Sequence, residues 1–398
     1  MPRVREVRSR VVESRVRGVF RIHYAEASVS RSVFVEVVLE DGTRGYGEAC
    51  PAPRVTWENI GAVEACVESI APRLRGLRLP EDLGKALSIV HSGGPGFSSA
   101  RAGLESAILD AVARLLGQPV YNLLGGSVHD RLVTDYTVSL PDRSVLEEIR
   151  RGRGAGRDAF IESIEYLVGA RDRAPPSPPI PLPPVNGFNV LKVKLGTGDP
   201  DLDVLLAETV FYAAGGRARI RVDANQAWSP KQAVRVVKRL EELMGDGLEL
   251  VEQPVPAGRA EDLLFVRERV ETPIAADESA RGLGEVARIA SMRAADIVNI
   301  KIAKIGGPLQ ASRAAALLEA SGLEAMWGCM TETGLGIAQA YHAAVTSPAT
   351  RYVDLDSPLF LAEDPVENPL VYEKTSEGVV IRYSGGAGLG PRPRQDES

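Results

Sequence analysis

Five ionisable residues fall at a nearly even spacing along the second half of this chain. Lys194, Asp223, Glu252, Asp277 and Lys301 are separated by 29, 29, 25 and 24 residues. Each closes a short apolar run: NVLKVKLG, RIRVDAN, LELVEQP, PIAADES and ADIVNIKIAK. Three carboxylates meeting in a partly desolvated place repel one another unless a cation neutralises them. Oxygen donors with no neighbouring Cys or His favour a hard ion, Mg²⁺ before Mn²⁺ or Ca²⁺. The lysines are as telling as the acids. Only 8 of the 47 basic residues are Lys, yet Lys192 and Lys194 stand one residue apart, and Lys301 and Lys304 form a second pair. Arg keeps its proton at any accessible pH, whereas Lys releases one when its surroundings depress its pKa. A lysine where arginine is the habit reads as a group that must titrate. Taken singly, a strand-end acid is as readily a helix N-cap.

The elements that position these groups follow from hydrophobic periodicity. Residues 1–50 alternate as strands (VREVRSRVVESRVRGVF, SVFVEVVL, the turn EDG, TRGYGEA), and 57–117 carry helical periodicity ending in SSARAGLESAILDAVARLLG. That helix is expected to open with a Ser cap and stop at Gly117. From 132 to 357, eight β-rich runs alternate with helical stretches, beginning with LVTDYTVSL and ending with LEAMWGCM and RYVDLDS. Such alternation means a parallel sheet covered by helices, and eight units in this length fit a closed (β/α) barrel whose last unit lacks its helix. Function in such barrels sits at the C-terminal ends of the strands, where the five groups fall. Lys192 and Lys194, two apart on a strand, share a face and point inward, because two ammoniums under the helices are too costly. The like-charged neighbour and a divalent cation would depress the Lys194 pKa and make it a usable base. APPSPPIPLPPV (174–185) interrupts the rhythm and reads as a stiff surface insertion on the opposite, N-terminal face.

Bulk composition narrows the function classes. At 398 residues the chain suggests two domains, and with 44% hydrophobic and 25% charged residues it is globular. A net charge of −6 with both signs scattered excludes a nucleic-acid stripe or a membrane-binding patch. Three cysteines without CxxC spacing read as idle thiols. With no signal peptide and no long apolar run, the expectation is a cytoplasmic protein.

KxK on the second strand, DAN, VEQP, AADES and NIKxxKxGG, below an N-terminal α+β unit, resemble the enolase superfamily, within it the muconate-lactonising subgroup. The resemblance implies an α/β fold: a (β/α)₇β TIM-like barrel (131–357), an α+β cap (1–130), a C-terminal segment returning to the cap (358–384) and a flexible tail (385–398). It implies that Asp223, Glu252 and Asp277 bind Mg²⁺ and that Lys194 and Lys301 act as opposed acid/base catalysts through a metal-stabilised enediolate, assisted by Lys192. It also implies self-association. No histidine sits at a strand end, unlike in the mandelate-racemase subgroup. DLDSPLFLAEDPV looks like the DxD signature of dipeptide epimerases, whose carboxylates bind a substrate α-ammonium; here these are Asp354 and Asp356. The expectation is therefore epimerisation at the C-terminal residue of a dipeptide, with Thr137 and Asn225 as further substrate contacts. Epimerases that hold a glutamate side chain use an Arg in the early cap loop. RIHYAEASVSR puts Ala27 near that position and Glu26 beside it, which favours a neutral or cationic side chain. Glu332, after the seventh strand, either holds a site loop or caps a helix. Rival readings are an N-acylamino acid racemase, a muconate-type cycloisomerase or o-succinylbenzoate synthase, and a Schiff-base aldolase, which leaves three carboxylates unexplained. A barrel kept only as a scaffold would have lost some of the five groups.

Overall fold

The computed structural model describes residues 1–92 and 96–394. It opens with an antiparallel sheet of β1 (Val4–Ile22), β2 (Ala25–Leu39) and β3 (Arg44–Ala49). In β1 the two-residue period is plain: Val12, Ser14 and Val16 are buried, while Glu13, Arg15 and Arg17 face solvent. Helices α1 (Ile60–Leu74), α2 (Leu83–His91), α3 (Ser98–Leu115) and α4 (Val120–Leu123) complete the cap. Small residues let α3 lie directly on the sheet. A Cβ on Gly47 would stand 2.9 Å from the Ser106 Cβ, and one on Gly103 would stand 3.1 Å from Ala49. The expected Ser cap of α3 is replaced by Glu58, whose carboxylate accepts from Ser99 N at 2.9 Å and Ala100 N at 3.1 Å. A carboxylate supplied from outside the helix satisfies the same orphan donors and suits the helix dipole.

The first barrel run is two strands rather than one. β4 (Leu132–Thr134) pairs with the C-terminal hairpin, and β5 (Tyr136–Val138) starts the barrel. Helices α5 (Arg143–Arg151) and α6 (Ala155–Leu167) follow. The units β6 (Val190–Lys194)/α7 (Pro200–Ala214), β7 (Arg219–Asp223)/α8 (Pro230–Met244), β8 (Leu248–Glu252)/α9 (Ala260–Arg267) and β9 (Ile274–Ala276)/α10 (Leu283–Met292) come next. β10 (Ile297–Lys301) leads into α11 (Ile302–Ile305) and α12 (Pro308–Ser321), β11 (Glu324–Gly328) into α13 (Gly334–Ala344), and β12 (Thr350–Val353) has only a 3₁₀ turn after it. The sheet runs β5 to β12 in chain order, all parallel: seven βα units and an eighth strand. Between β12 and β5 the barrel closes through Asp135 N donating to Val353 O at 3.1 Å, Leu355 N to Thr134 Oγ1 at 3.0 Å, and Thr137 N to the Asp356 carboxylate at 2.6 Å. The proline-rich segment is pinned at its second half. Tyr136 and Tyr166 hydroxyls donate to Pro181 O and Pro183 O, both at 3.0 Å, and Ile180 is buried.

The chain end adds β13 (Val366–Glu367), β14 (Val371–Thr375), β15 (Gly378–Arg382) and β16 (Arg392–Pro393). β14 and β15 extend β4, while Ala362 N donates to Arg15 O at 2.8 Å and β13 pairs with β16. The residues from Gly385, expected to be loose, are held as far as Arg394; residues 395–398 of the expected tail lie outside those described. Gly388 N donates to Gln118 O, and Leu389, fully buried, donates its N–H to Asp110 Oδ1 at 2.6 Å. Asp110 Oδ2 accepts from Tyr46 N at 2.8 Å and Arg114 Nε at 2.7 Å, so one cap carboxylate ties β3, α3 and the chain end. Among the described residues, no helix is long and apolar enough to cross a membrane.

Candidate active site

The inward-facing residues climb the barrel in steps of two. Leu250, Ala275, Ile297 and Met326 form an apolar floor. Above it, Lys192 pairs in register with Arg221, Lys194 with Asp223, and Asp223 with Glu252. Lys192 and Lys194 thus both project into the barrel, and Asp277 follows β9 by one residue. Lys194 Nζ donates to Asp223 Oδ2 at 2.5 Å, and Lys301 Nζ lies 2.8 Å from Asp277 Oδ2. Lys192 contacts Asp354 and stands 3.5 Å from Glu252 Oε2. All seven of these side chains are at least nine-tenths buried. Lys194 on β6 and Lys301 on β10 are four strands apart in an eight-stranded ring, on opposite sides of the mouth.

Electrostatics sort the groups. Burial works against the Lys192 ammonium, but Asp354 and then Glu252 outweigh it and hold its pKa well above the ordinary value. Lys301 is likewise held up against its burial, by Asp277 and Glu252. Burial, with the Asp223 charge next, pushes Glu252 up to about 7. Asp356 is pushed up to about 7 by burial and then by Asp354. Asp354 itself is lowered, because Lys192 overrides its burial. Thr137 orients this pair. Its N–H serves Asp356, and its hydroxyl donates to Asp354 Oδ1 at 3.2 Å, so it turns towards the carboxylates while still lining the cavity. Asn225 holds both Asp223 oxygens, through its N–H at 2.8 Å and its Nδ2 at 3.3 Å. Glu26 sits apart, at the exposed tip of the β1–β2 hairpin, paired with Arg21 at 3.2 Å. The hairpin tip reaches the mouth, where His23 Nδ1 lies 2.6 Å from Gly196 O, and Glu26 borders the same cavity of about 570 Å³.

Three groups beyond the expected site belong to it. Lys304, from the second lysine pair, is fully buried on α11; its Nζ donates to Asp277 O at 2.6 Å, to Asn299 O at 3.0 Å and to the Asp277 carboxylate. Asn299 donates to Glu252 Oε1 at 2.7 Å, in space left by Gly328, where a Cβ would stand 2.7 Å from the amide nitrogen. Glu278, beside Asp277, lines the cavity and is pushed up to about 8 by burial and then by Asp277. AADES and NIKIAKIGG contain all three, but nothing in a strand-end rule singles out a residue two before the end (Asn299), or one (Glu278) or three (Lys304) beyond it.

Six buried carboxylates here (Asp223, Glu252, Asp277, Glu278, Asp354, Asp356) face four ammoniums (Lys192, Lys194, Lys301, Lys304). The carboxylates outnumber the ammoniums, and the upward push on Glu252 and Glu278 by burial and neighbouring acids is what an added positive charge relieves. Glu252 Oε2, Glu278 Oε2 and Asn225 Oδ1 are buried without a hydrogen-bond partner. Such oxygens are costly unless something positive meets them. Donor chemistry and orphaned atoms therefore fit a hard divalent cation among Asp223, Glu252 and Asp277. A second tight cluster, Cys329, Asp354 and Asp356, brings its ligand atoms within 4.8 Å of one another. A thiol suits softer metals, so the all-oxygen strand-end acids are the better match for a hard ion.

Residues 185–397 match the family model described as Enolase C-terminal domain-like, and residues 5–125 match the Mandelate racemase / muconate lactonizing enzyme, N-terminal domain. The chain is 32% identical over 368 residues to the L-Ala-D/L-Glu epimerase of Bacillus subtilis, covering 91% of this chain and 89% of that protein. It is 34% identical over 363 residues to the L-Lys-D/L-Arg epimerase of Methylococcus capsulatus, covering 89% and 90%. The dipeptide epimerase from Enterococcus faecalis V583, solved in complex with Mg and the dipeptide L-Leu-L-Tyr, superposes with a TM-score of 0.82 at 28% identity, over 98% of this chain and 99% of that one.

Proposed function

The chain belongs to the enolase superfamily, and on that premise we propose that it is a Mg²⁺-dependent dipeptide epimerase. The observation that carries the dipeptide is the pair Asp354 and Asp356, buried at the barrel seam and open to the cavity. A substrate α-ammonium satisfies both; an anionic substrate end would be repelled.

Asp223, Glu252 and Asp277 would hold the cation, with Asn299 fixing one oxygen of Glu252 and the other left without a hydrogen bond, 3.5 Å from Lys192 Nζ. When bound, the cation supplies Lewis-acid stabilisation to the substrate carboxylate as negative charge develops there. Lys194 and Lys301 approach the α-carbon of the C-terminal residue from opposite faces. One Nζ takes the α-proton and the other returns one to the far face, which inverts the centre. Lys194 Nζ bonds Asp223 Oδ2 and Lys301 Nζ lies against Asp277 Oδ2, so a cation held by these carboxylates would weaken their hold on the two ammoniums. Lys192 stays protonated between Asp354 and Glu252 and fixes the ammonium-binding pair rather than exchanging protons.

The test is α-deuterium incorporation from D₂O into a pool of L,L-dipeptides with Mg²⁺, read by mass spectrometry. Exchange at the C-terminal residue is expected, and it disappears with EDTA and in Lys194→Ala and Lys301→Ala. Exchange confined to N-acylamino acids would overturn the assignment in favour of their racemisation.

A further inference from the structure

Family membership leaves the substrate side chains open, since relatives of near-equal identity act on dissimilar dipeptides. The wall of the cavity beside Asp354 and Asp356 is more specific. Directly after Asp356 the chain makes the 3₁₀ turn Ser357–Phe360, which brings the Phe360 ring to the cavity edge. Phe20, from the cap strand β1, packs on it with ring centroids 4.8 Å apart. The same cavity is lined by Cys329, whose Sγ donates to Asp356 Oδ1 at 3.6 Å, and by Met330. Burial, with Asp354 next, keeps the Cys329 thiol protonated, so it presents no charge.

The cap residues Arg31 and Glu26, which also line the cavity, are paired within the cap. Arg31 pairs with Glu13 at 2.7 Å, and Arg21 pairs with Glu26 at 3.2 Å. Arg54 lies against the Tyr24 ring at 5.1 Å and borders the hollow formed with Asn225 and Gln226, on the side of the cation ligands. An anionic group placed between Phe20, Phe360, Cys329 and Met330 would be desolvated beside Asp354 and Asp356, and a cationic one would compete with the substrate's own ammonium for them, whereas an apolar one would leave water for a preformed apolar wall. We infer, on the reading of this protein as a dipeptide epimerase, that the residue whose ammonium rests on Asp354 and Asp356, the N-terminal one, carries a large apolar side chain seated on Phe20, Phe360, Cys329 and Met330.

The experiment holds the C-terminal residue at L-Ala and varies the N-terminal one: L-Leu-L-Ala and L-Phe-L-Ala against L-Ala-L-Ala, L-Asp-L-Ala and L-Lys-L-Ala, with kcat/KM from deuterium exchange on the Mg²⁺-loaded full chain. Leu or Phe is expected to exceed Ala by roughly tenfold or more, the scale of hydrophobic-pocket discrimination. Asp and Lys are expected below Ala. Phe20→Ala should lower kcat/KM for L-Leu-L-Ala severalfold more than for L-Ala-L-Ala; a general folding defect would lower both alike. Equal rates across the five dipeptides, or a Leu-to-Ala ratio unmoved by Phe20→Ala when Cys329→Ser also leaves it unmoved, would overturn the inference while leaving the epimerase reading intact. Exchange on N-acylamino acids with none on any dipeptide would overturn both.

Discussion

Replacing Glu332 by Gln should stabilise this protein, and only on the alkaline side. Glu332 follows the cavity-lining residues 329–331 and is 5% exposed, with its carboxylate accepting from Met330 N at 2.5 Å. Glu48, at the end of β3, comes close to it. A Cβ at Gly336 would stand 2.6 Å from Glu332 Cγ and 3.0 Å from Glu48 Oε2. Burial, and then the Glu48 charge, push the Glu332 carboxyl from 4.5 up to about 8. The folded state therefore binds this proton more tightly than the unfolded chain does. Its contribution is complete below pH 4.5, declines as pH rises to about 8 and is flat above. At 1.36 kcal/mol per pH unit, the gap between 4.5 and 8 amounts to about 5 kcal/mol. Gln keeps an acceptor for Met330 N and carries no charge, so it escapes the decline. Near pH 5 the variant should match the wild type to within about 1 kcal/mol. At pH 8.5 it should exceed it by up to about 5 kcal/mol, or roughly 6 °C in Tm for a chain of this length. Thermal unfolding at pH 5, 6.5 and 8.5, with wild type and variant side by side, reads the difference and cancels the other buried acids. A variant that is less stable by the same amount at every pH would refute the reasoning and make Glu332 an ordinary ionised acceptor.

Three further outcomes follow from the site. Lys304→Met keeps the packing but strands Asp277 and two carbonyls, and should cost about 3–5 kcal/mol in urea unfolding; a loss below about 1 kcal/mol would show that the three hydrogen bonds carry no weight. Adding Mg²⁺ to the metal-stripped protein should raise Tm, by about 2.7 kcal/mol of stability at a hundredfold excess over Kd, and Glu252→Gln should remove most of that rise. An equal rise in the variant would move the cation elsewhere. Gly336→Ala places a methyl against Glu332 and Glu48 in the first turn of α13 and should destabilise by about 1–3 kcal/mol despite the better helix propensity of Ala; a stabilised variant would contradict the close packing.

The barrel and its mouth were legible because their signals are local and repeat. Five consecutive strands, β6 to β10, end at or just before an ionisable residue at nearly one βα period, and Lys192 and Lys194 share a face by simple alternation. What escaped depends on partners far along the chain. LVTDYTVSL alternates as one strand, but its first half pairs with a hairpin some 250 residues later, so it breaks at Asp135. The α3 cap comes from Glu58, 41 residues before Ser99, and local spacing favoured the adjacent serines. Glu48 reads as an ordinary strand-end acid. Its carboxylate in fact accepts from Thr333 N, Thr333 Oγ1 and Gly336 N, which ties the cap to the loop beside the cavity. Glu26 was legible as a cap-loop residue; Arg21, which by spacing could equally have stood in for the missing cap-loop Arg, is placed opposite Glu26 by the hairpin register and pairs with it.

The bond from Leu389 to Asp110 has a consequence for how the chain is made. Asp110 is fully buried within the cap, but one of its oxygens waits for a backbone N–H located 279 residues downstream. At 5–20 residues per second, roughly 15 to 55 s separate the synthesis of the two. During that interval the emerging cap has strands and helices but an unfinished seam, and this polar contact cannot form until Leu389 has been added and has left the ribosome. The cap is thus translated before the barrel and sealed after it, so a chain cut just before Leu389 would carry a whole barrel beneath a cap that never locks.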